Sequence, residues 1–206
     1  MSFAQIARLT TTDPNLEEET MGRIVVTEFV SLDGVMEDPG GAEGYKYGGW
    51  TFEFARGEEG DNFKLDETRA TEALLLGRKT YEGFAAAWPS REGEFADLFN
   101  SMPKYVVSST LENPEWNNTT VLRSVDDIPE LKEATDGDLV VHGSAQLAQA
   151  LIDRDLVDEL RLMVFPVVLG SGKPLFGATT EKKTYKLVDS KAVGDGVAIL
   201  TYERAS

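Results

Sequence analysis

VVHGSAQLAQALIDRDLVDELRLMVFPVVLGSGKPLF, residues 140–176, is the stretch on which the reading of the fold turns. Val140 and Val141 close a short apolar strand, Gly143 and Ser144 supply a turn, and Leu147, Leu151 and Ile152 then recur at helical spacing. Residues 159–169 follow as a long strand and run into the glycine loop Gly170-Ser171-Gly172. Strand, helix, strand is the order of a parallel crossover unit, and glycines at its far end let backbone approach a ligand.

The same grammar extends upstream. Residues 23–30 hold Ile24, Val25, Val26, Phe29 and Val30, an apolar run suited to a buried strand, and end at the turn Ser31-Leu-Asp-Gly34. The Gly/Pro/Asp-rich stretch 34–49 is long enough to be expected as a functional loop. Residues 50–71 are charged and weakly amphipathic and predict a helix with Trp50, Phe54, Phe63 and Leu65 inward. A strand over 72–76 leads into Gly77-Arg-Lys-Thr80 and a helix carrying Tyr81, Phe84 and Trp88, which Pro89 stops. A helical piece over 93–101 and strands over 104–107 and 119–122 follow. Ser124 and Asp127 have capping-box spacing for a helix with Ile128 and Leu131 inward, closed by Gly137, and a strand covers 138–141.

Downstream, residues 183–193 and 197–204 flank Gly194-Asp-Gly196 as a hairpin. Four alternations of strand and helix predict an α/β fold with a mostly parallel central sheet flanked by helices and an antiparallel C-terminal hairpin. One domain is expected over residues 21–206. Residues 1–20 are polar and acidic without period and lack a secretory signal, so they are expected to be disordered or loosely attached, with the folded part, and a natural start, near Met21.

Composition removes several classes of function. The 36 acidic against 20 basic residues leave a formal charge of −16, which repels nucleic acid. No apolar run is long enough to span a bilayer, and a cytoplasmic location is expected. With no cysteine and a single histidine, His142, neither a thiol nucleophile nor a His/Cys metal centre can be built, and no Gly-x-Ser-x-Gly elbow is present. No metal is expected.

What remains is a ligand held at strand ends. Gly77-Arg78-Lys79-Thr80, Ser108-Ser109 and Gly143-Ser144-Ala145-Gln146 each place small or hydroxyl residues where a strand ends, two of them at a helix start that attracts phosphate. Arg78 and Lys79 add positive charge in an acidic chain. Gly170-Ser-Gly172-Lys173 is not a phosphate loop, because Val167 stands where the first glycine belongs and Pro174 where the hydroxyl residue belongs. It is read as a rim of the substrate pocket.

Taken together, Ser31-Leu-Asp-Gly34, residues 74–84, residues 106–110 and residues 156–176 resemble the reductase domain of riboflavin-biosynthesis deaminase-reductases, the RibD C-terminal domain, whose fold is similar to that of dihydrofolate reductase. The resemblance spans about residues 22–204. It implies an NADPH-dependent reductase that passes hydride to a small pyrimidine-, pteridine- or ribosylamine-type substrate, and a homodimer to which residues 159–169 contribute. By position, Gly77, Arg78, Lys79, Thr80, Ser108 and Ser109 would hold the adenosine 2′-phosphate end of NADPH, and Gly143, Ser144, Ala145 and Gln146 its pyrophosphate. Asp33 would bind substrate or supply a proton, and Trp50, Phe54, Gly170 and Phe176 would line the pocket.

Two departures stand out. His142-Gly143 replaces the family's Gly-Gly, and an isolated strand-end histidine is expected to face solvent. The zinc signature of the deaminase half is absent. The alternatives are dihydrofolate reductase activity itself, with Asp61 or Glu53 as the acidic residue facing a pterin, and a nucleotide-binding sensor that has lost turnover.

Overall fold

The computed structural model describes residues 21–205; the expectation for residues 1–20 lies outside them. The chain runs β1 (Arg23–Ser31), α1 (Gly57–Ala70), β2 (Thr71–Gly77), α2 (Arg78–Ala87), α3 (Glu94–Ser101), β3 (Lys104–Val107), β4 (Thr119–Leu122), α4 (Ile128–Glu133), β5 (Asp138–His142), α5 (Ala145–Asp153), β6 (Glu159–Phe165), β7 (Tyr185–Val193) and β8 (Val197–Arg204). All strands join one eight-stranded sheet in the order β4-β3-β2-β5-β1-β6-β8-β7. The first six are parallel to their neighbours, whereas β8 pairs antiparallel with both β6 and β7. This is the expected fold class.

Burial explains the strand assignments. Ile24, Val25, Val26, Leu74, Leu75, Leu76, Leu139, Val140 and Val141 are all essentially inaccessible, as strands covered on both faces must be. On one face Ile24, Val26, Leu75, Leu139 and Val141 pack with Leu147, Ala148 and Leu151 of α5 and Ile128 of α4. Elsewhere Leu74, Leu76 and Val106 meet Tyr81, Phe99 and Trp116. The hairpin turn carries Gly194 at φ 50, where a Cβ would stand 1.9 Å from the Ala55 carbonyl oxygen, so only glycine lets the hairpin tip reach the start of α1.

Four boundaries differ from expectation. The predicted helix over 50–71 is broken into a 3-10 turn, Trp50–Glu53, and α1, and Thr71 already belongs to β2. Its fully buried residues are Gly60, Lys64, Glu67 and Thr68, while Phe63 is half-buried against the cluster of Trp50 and Phe165 and Leu65 is half-buried. The helix begun at Ser124 ends at Glu133, short of Gly137. β6 stops at Phe165 because Pro166 has no N–H to continue the ladder. β6 lies between β1 and β8, so both its edges are paired within the sheet.

Candidate active site

The strand order creates a crevice. From β1 the chain crosses over β5 to reach β2, and from β5 it crosses over β1 to reach β6, so the connections leaving β1 and β5 diverge. In open α/β sheets that divergence at carboxyl ends is where ligands lodge. The β1–β5 register ends at Thr27 opposite His142, and from Glu28 to Ser31 the β5 side of β1 has no strand partner. At this edge the ends of β3, β2 and β5 lie side by side, bringing together all three sequence motifs.

Ser144 ties the edge together. Its Oγ accepts from the Gly77 N–H at 2.9 Å and donates to the His142 carbonyl at 3.0 Å, and its N–H donates to Thr80 Oγ1 at 2.8 Å. With that hydroxyl committed, no side chain caps α5, and the first N–H groups of the helix stay available to an anion. Gly143 has φ 55, and a Cβ there would come within 3.1 Å of the Thr80 side chain.

At the neighbouring strand end Gly77 opens α2 without a side-chain cap, and Arg78 and Lys79 are exposed. Arg78 pairs with Glu82 at 2.9 Å, with both side chains nearly half exposed; such an i,i+4 pair is weak and readily exchanged for a phosphate. The Ser108 hydroxyl is buried and accepts from the N–H groups of Thr110 and Leu111, while Ser109 is exposed.

Asp33, at the end of β1, ties down a loop. Its carboxylate accepts from Ser31 Oγ at 2.6 Å, Leu169 N at 3.1 Å and Gly170 N at 2.7 Å. The Ser31 hydroxyl, aided by the two amides, holds its pKa down to about 2. It is ionised and saturated with donors, so it positions the 167–172 loop and does not supply a proton. The depressed pKa means this tie is complete above the unfolded value near 3.8 and is lost as pH falls through about 2. Asp33→Ala is expected to speed hydrogen exchange at the Leu169 and Gly170 amides by about tenfold or more at pH 7, one ordinary hydrogen bond's worth. Unchanged exchange would remove Asp33 from this role.

The substrate-side aromatics also separate. Trp50 is 1% exposed, donates Nε1–H to the Glu37 carbonyl and stands edge-on to Phe165 at 5.4 Å, so it is core and not pocket wall. Phe54 is half-buried against the same Phe165, whereas Gly170 and Phe176 lie exposed at the rim.

A buried polar seam beneath α1 was not foreseen. Lys64 donates to Thr27 Oγ1 at 2.8 Å and forms an ion pair with Glu67, whose other oxygen lies 3.6 Å from Arg161. Arg161 continues to Asp138 at 3.0 Å and to Glu159. Burial pushes the Glu67 carboxyl up, but the charge of Lys64 and its hydrogen bond outweigh it and leave the group below its usual range. His142 is only partly exposed: its ring packs on Phe99 with centroids 5.2 Å apart, and Nε2 is sealed off with no partner. Burial, with the charge of Lys64, lowers its pKa to about 3, so it is neutral at physiological pH.

Glu28 is 6% exposed; burial raises its pKa well above the usual range, against the pull of Lys64 and the Gly143 amide. Among the described residues the buried side-chain polar atoms without a partner are Glu28 Oε1, Glu67 Oε1 and His142 Nε2. One signal was available, since Glu28 is the charged interruption of an otherwise apolar strand.

The family model for the RibD C-terminal domain matches residues 23–199, which takes in both flanks of the crevice and every motif at its edge. The chain belongs to the RibD C-terminal domain family. A relative from Bacillus subtilis (strain 168), the uncharacterized protein YyaP, is 29% identical over 187 residues, covering 87% of this chain and 94% of that protein. Among solved structures, a putative riboflavin biosynthesis protein from Shewanella sp. PV-4 aligns with a TM-score of 0.72 at 24% identity, over 89% of this chain and 99% of that one. Dihydrofolate reductase from Enterococcus faecalis, complexed with NADP(H) and RAB-propyl, aligns with a TM-score of 0.56 at 17% identity, over 89% of this chain and 97% of that one. The fold of this RibD C-terminal domain is therefore dihydrofolate reductase-like.

Proposed function

We propose that this RibD C-terminal domain is an NADPH-dependent reductase of a small pyrimidine-, pteridine- or ribosylamine-type substrate. The observation that carries the reading is the uncapped start of α5, held by Ser144 against β2 beside the point where β1 and β5 part. The residues present fit a dinucleotide. The Ala145 and Gln146 amides would take the pyrophosphate, and Gly143, at φ 55 and tight against Thr80, shapes the turn that aims them. Arg78, Lys79, Ser108 and Ser109 would take the 2′-phosphate end.

When bound, the cofactor supplies the hydride. The chain then has to orient the acceptor, exclude water and provide a proton. Asp33 sets the 167–172 loop through Leu169 and Gly170, and Phe176 stands exposed on the rim. Dihydrofolate reductase proper is less well supported: Asp61 is bound to Arg56 at 2.8 Å and exposed, Glu53 is exposed, and the inward acid of α1 is Glu67, already paired with Lys64.

The test is a titration of the wild type with NADPH and NADH, repeated on Arg78→Ala. NADPH should bind more tightly, and Arg78→Ala should cost about tenfold in NADPH affinity, the worth of one charge-assisted bond, and leave NADH unchanged. Equal affinities in the wild type would refute the 2′-phosphate assignment.

A further inference from the structure

We propose that Glu28 is the proton donor of this site, a catalytic acid on β1 that protonates the substrate as the hydride arrives. The inference rests on the reductase reading above and adds to it a residue that none of the strand-end motifs contains.

Position comes first. Glu28 is the first residue of β1 beyond the last β5 partner, Thr27 opposite His142, so it stands at the mouth of the crevice. The residue is more than nine-tenths buried, its Oε1 has no hydrogen-bond partner, and the Gly143 amide acts on the same carboxyl from the turn that opens α5. A buried carboxyl oxygen left unsatisfied costs free energy unless something in the crevice completes it. A substrate nitrogen or oxygen brought beside the dinucleotide turn would do so.

Protonation state selects Glu28 over its neighbours. Burial pushes the Glu28 carboxyl well above its usual range and so favours the protonated form. Asp33 carries three donors and stays ionised, Glu67 is tied to Lys64, and His142 is neutral down to about pH 3. The charged groups that act on Glu28 are Lys64 and Glu67 of α1, with the Gly143 amide beside it.

The step balances. Hydride adds to the carbon of a C=N or C=O bond, the Glu28 O–H bond breaks, and its proton forms the new N–H or O–H bond. The substrate gains two electrons and the dihydronicotinamide loses them. The carboxylate left behind is met by the Lys64 ammonium and the Gly143 amide until water reprotonates it on product release.

The experiment compares the full chain with Glu28→Gln, which keeps size and neutrality. Infrared spectra at pH 7 should show a protonated-carboxyl stretch in the wild type that Glu28→Gln lacks, and adding NADP+ should shift that band. In turnover with whichever pyrimidine or pteridine the wild type reduces, Glu28→Gln should lower kcat by about 100-fold or more while NADPH affinity stays within about threefold. A missing band, a band indifferent to NADP+, or a variant that keeps the wild-type kcat and pH profile overturns the assignment. Failure of the wild type to bind NADPH would instead defeat the reductase reading itself.

Discussion

Lys64→Met is expected to cost about 3 kcal/mol of folding stability at pH 7, a drop in Tm of roughly 6–12 °C for a chain of this size. The cost comes from what is left behind. Lys64 and Glu67 are both inside, and removing the ammonium strands a buried carboxylate whose remaining cation, Arg161, is 3.6 Å away and already shared with Asp138 and Glu159. Thr27 Oγ1 loses its donor too. Replacing both members, Lys64→Met with Glu67→Leu, should restore most of the loss, because apolar residues of similar volume pack without the desolvation penalty. Thermal or urea unfolding of the two single variants and the double variant gives the coupling directly. A cost below about 1 kcal/mol for Lys64→Met would show that the pair is solvated and the seam is not a closed interior.

Gly143→Val is the second large expectation. The backbone at φ 55 penalises a β-branched residue by about 1–2 kcal/mol, and the new side chain displaces Thr80, which breaks its bond to the Ser144 N–H for about 1 kcal/mol more. Loss of about 2–3 kcal/mol in unfolding should be accompanied by a fall in NADPH affinity of about 30-fold or more, because the same turn aims the α5 amides. Unchanged stability would contradict the turn geometry. Lost stability with full affinity would contradict its part in the cradle.

The order of elements was readable from the sequence because local residues mark their ends. Gly77 starts α2, α2 is finished by Ala87 ahead of Pro89, Ser124 caps the turn before α4, and Gly194-Asp-Gly196 closes the hairpin. The three strand-end motifs were legible for the same reason. The polar seam was not, because apolar periodicity points Phe63 and Leu65 inward, whereas the buried face of α1 is chosen by a sheet that presents Thr27 and His142 to it. That pairing joins residues 27 and 142, and nothing local encodes it. The acceptor role of Asp33 depends likewise on amides at positions 169 and 170. His142, alone at a strand end, gave no hint that Phe99 would cover it.

The central claim is that a dinucleotide lies along the carboxyl ends of β3, β2 and β5. Amide chemical-shift mapping of the full chain during titration with NADP+ tests it most directly. The account predicts that Gly77, Arg78, Ser109, Gly143, Ala145 and Gln146 shift together with one dissociation constant, while amides at the opposite sheet edge, such as Asp138 and Glu159, stay in place. Shifts confined to that opposite edge, or none at any concentration, would contradict it.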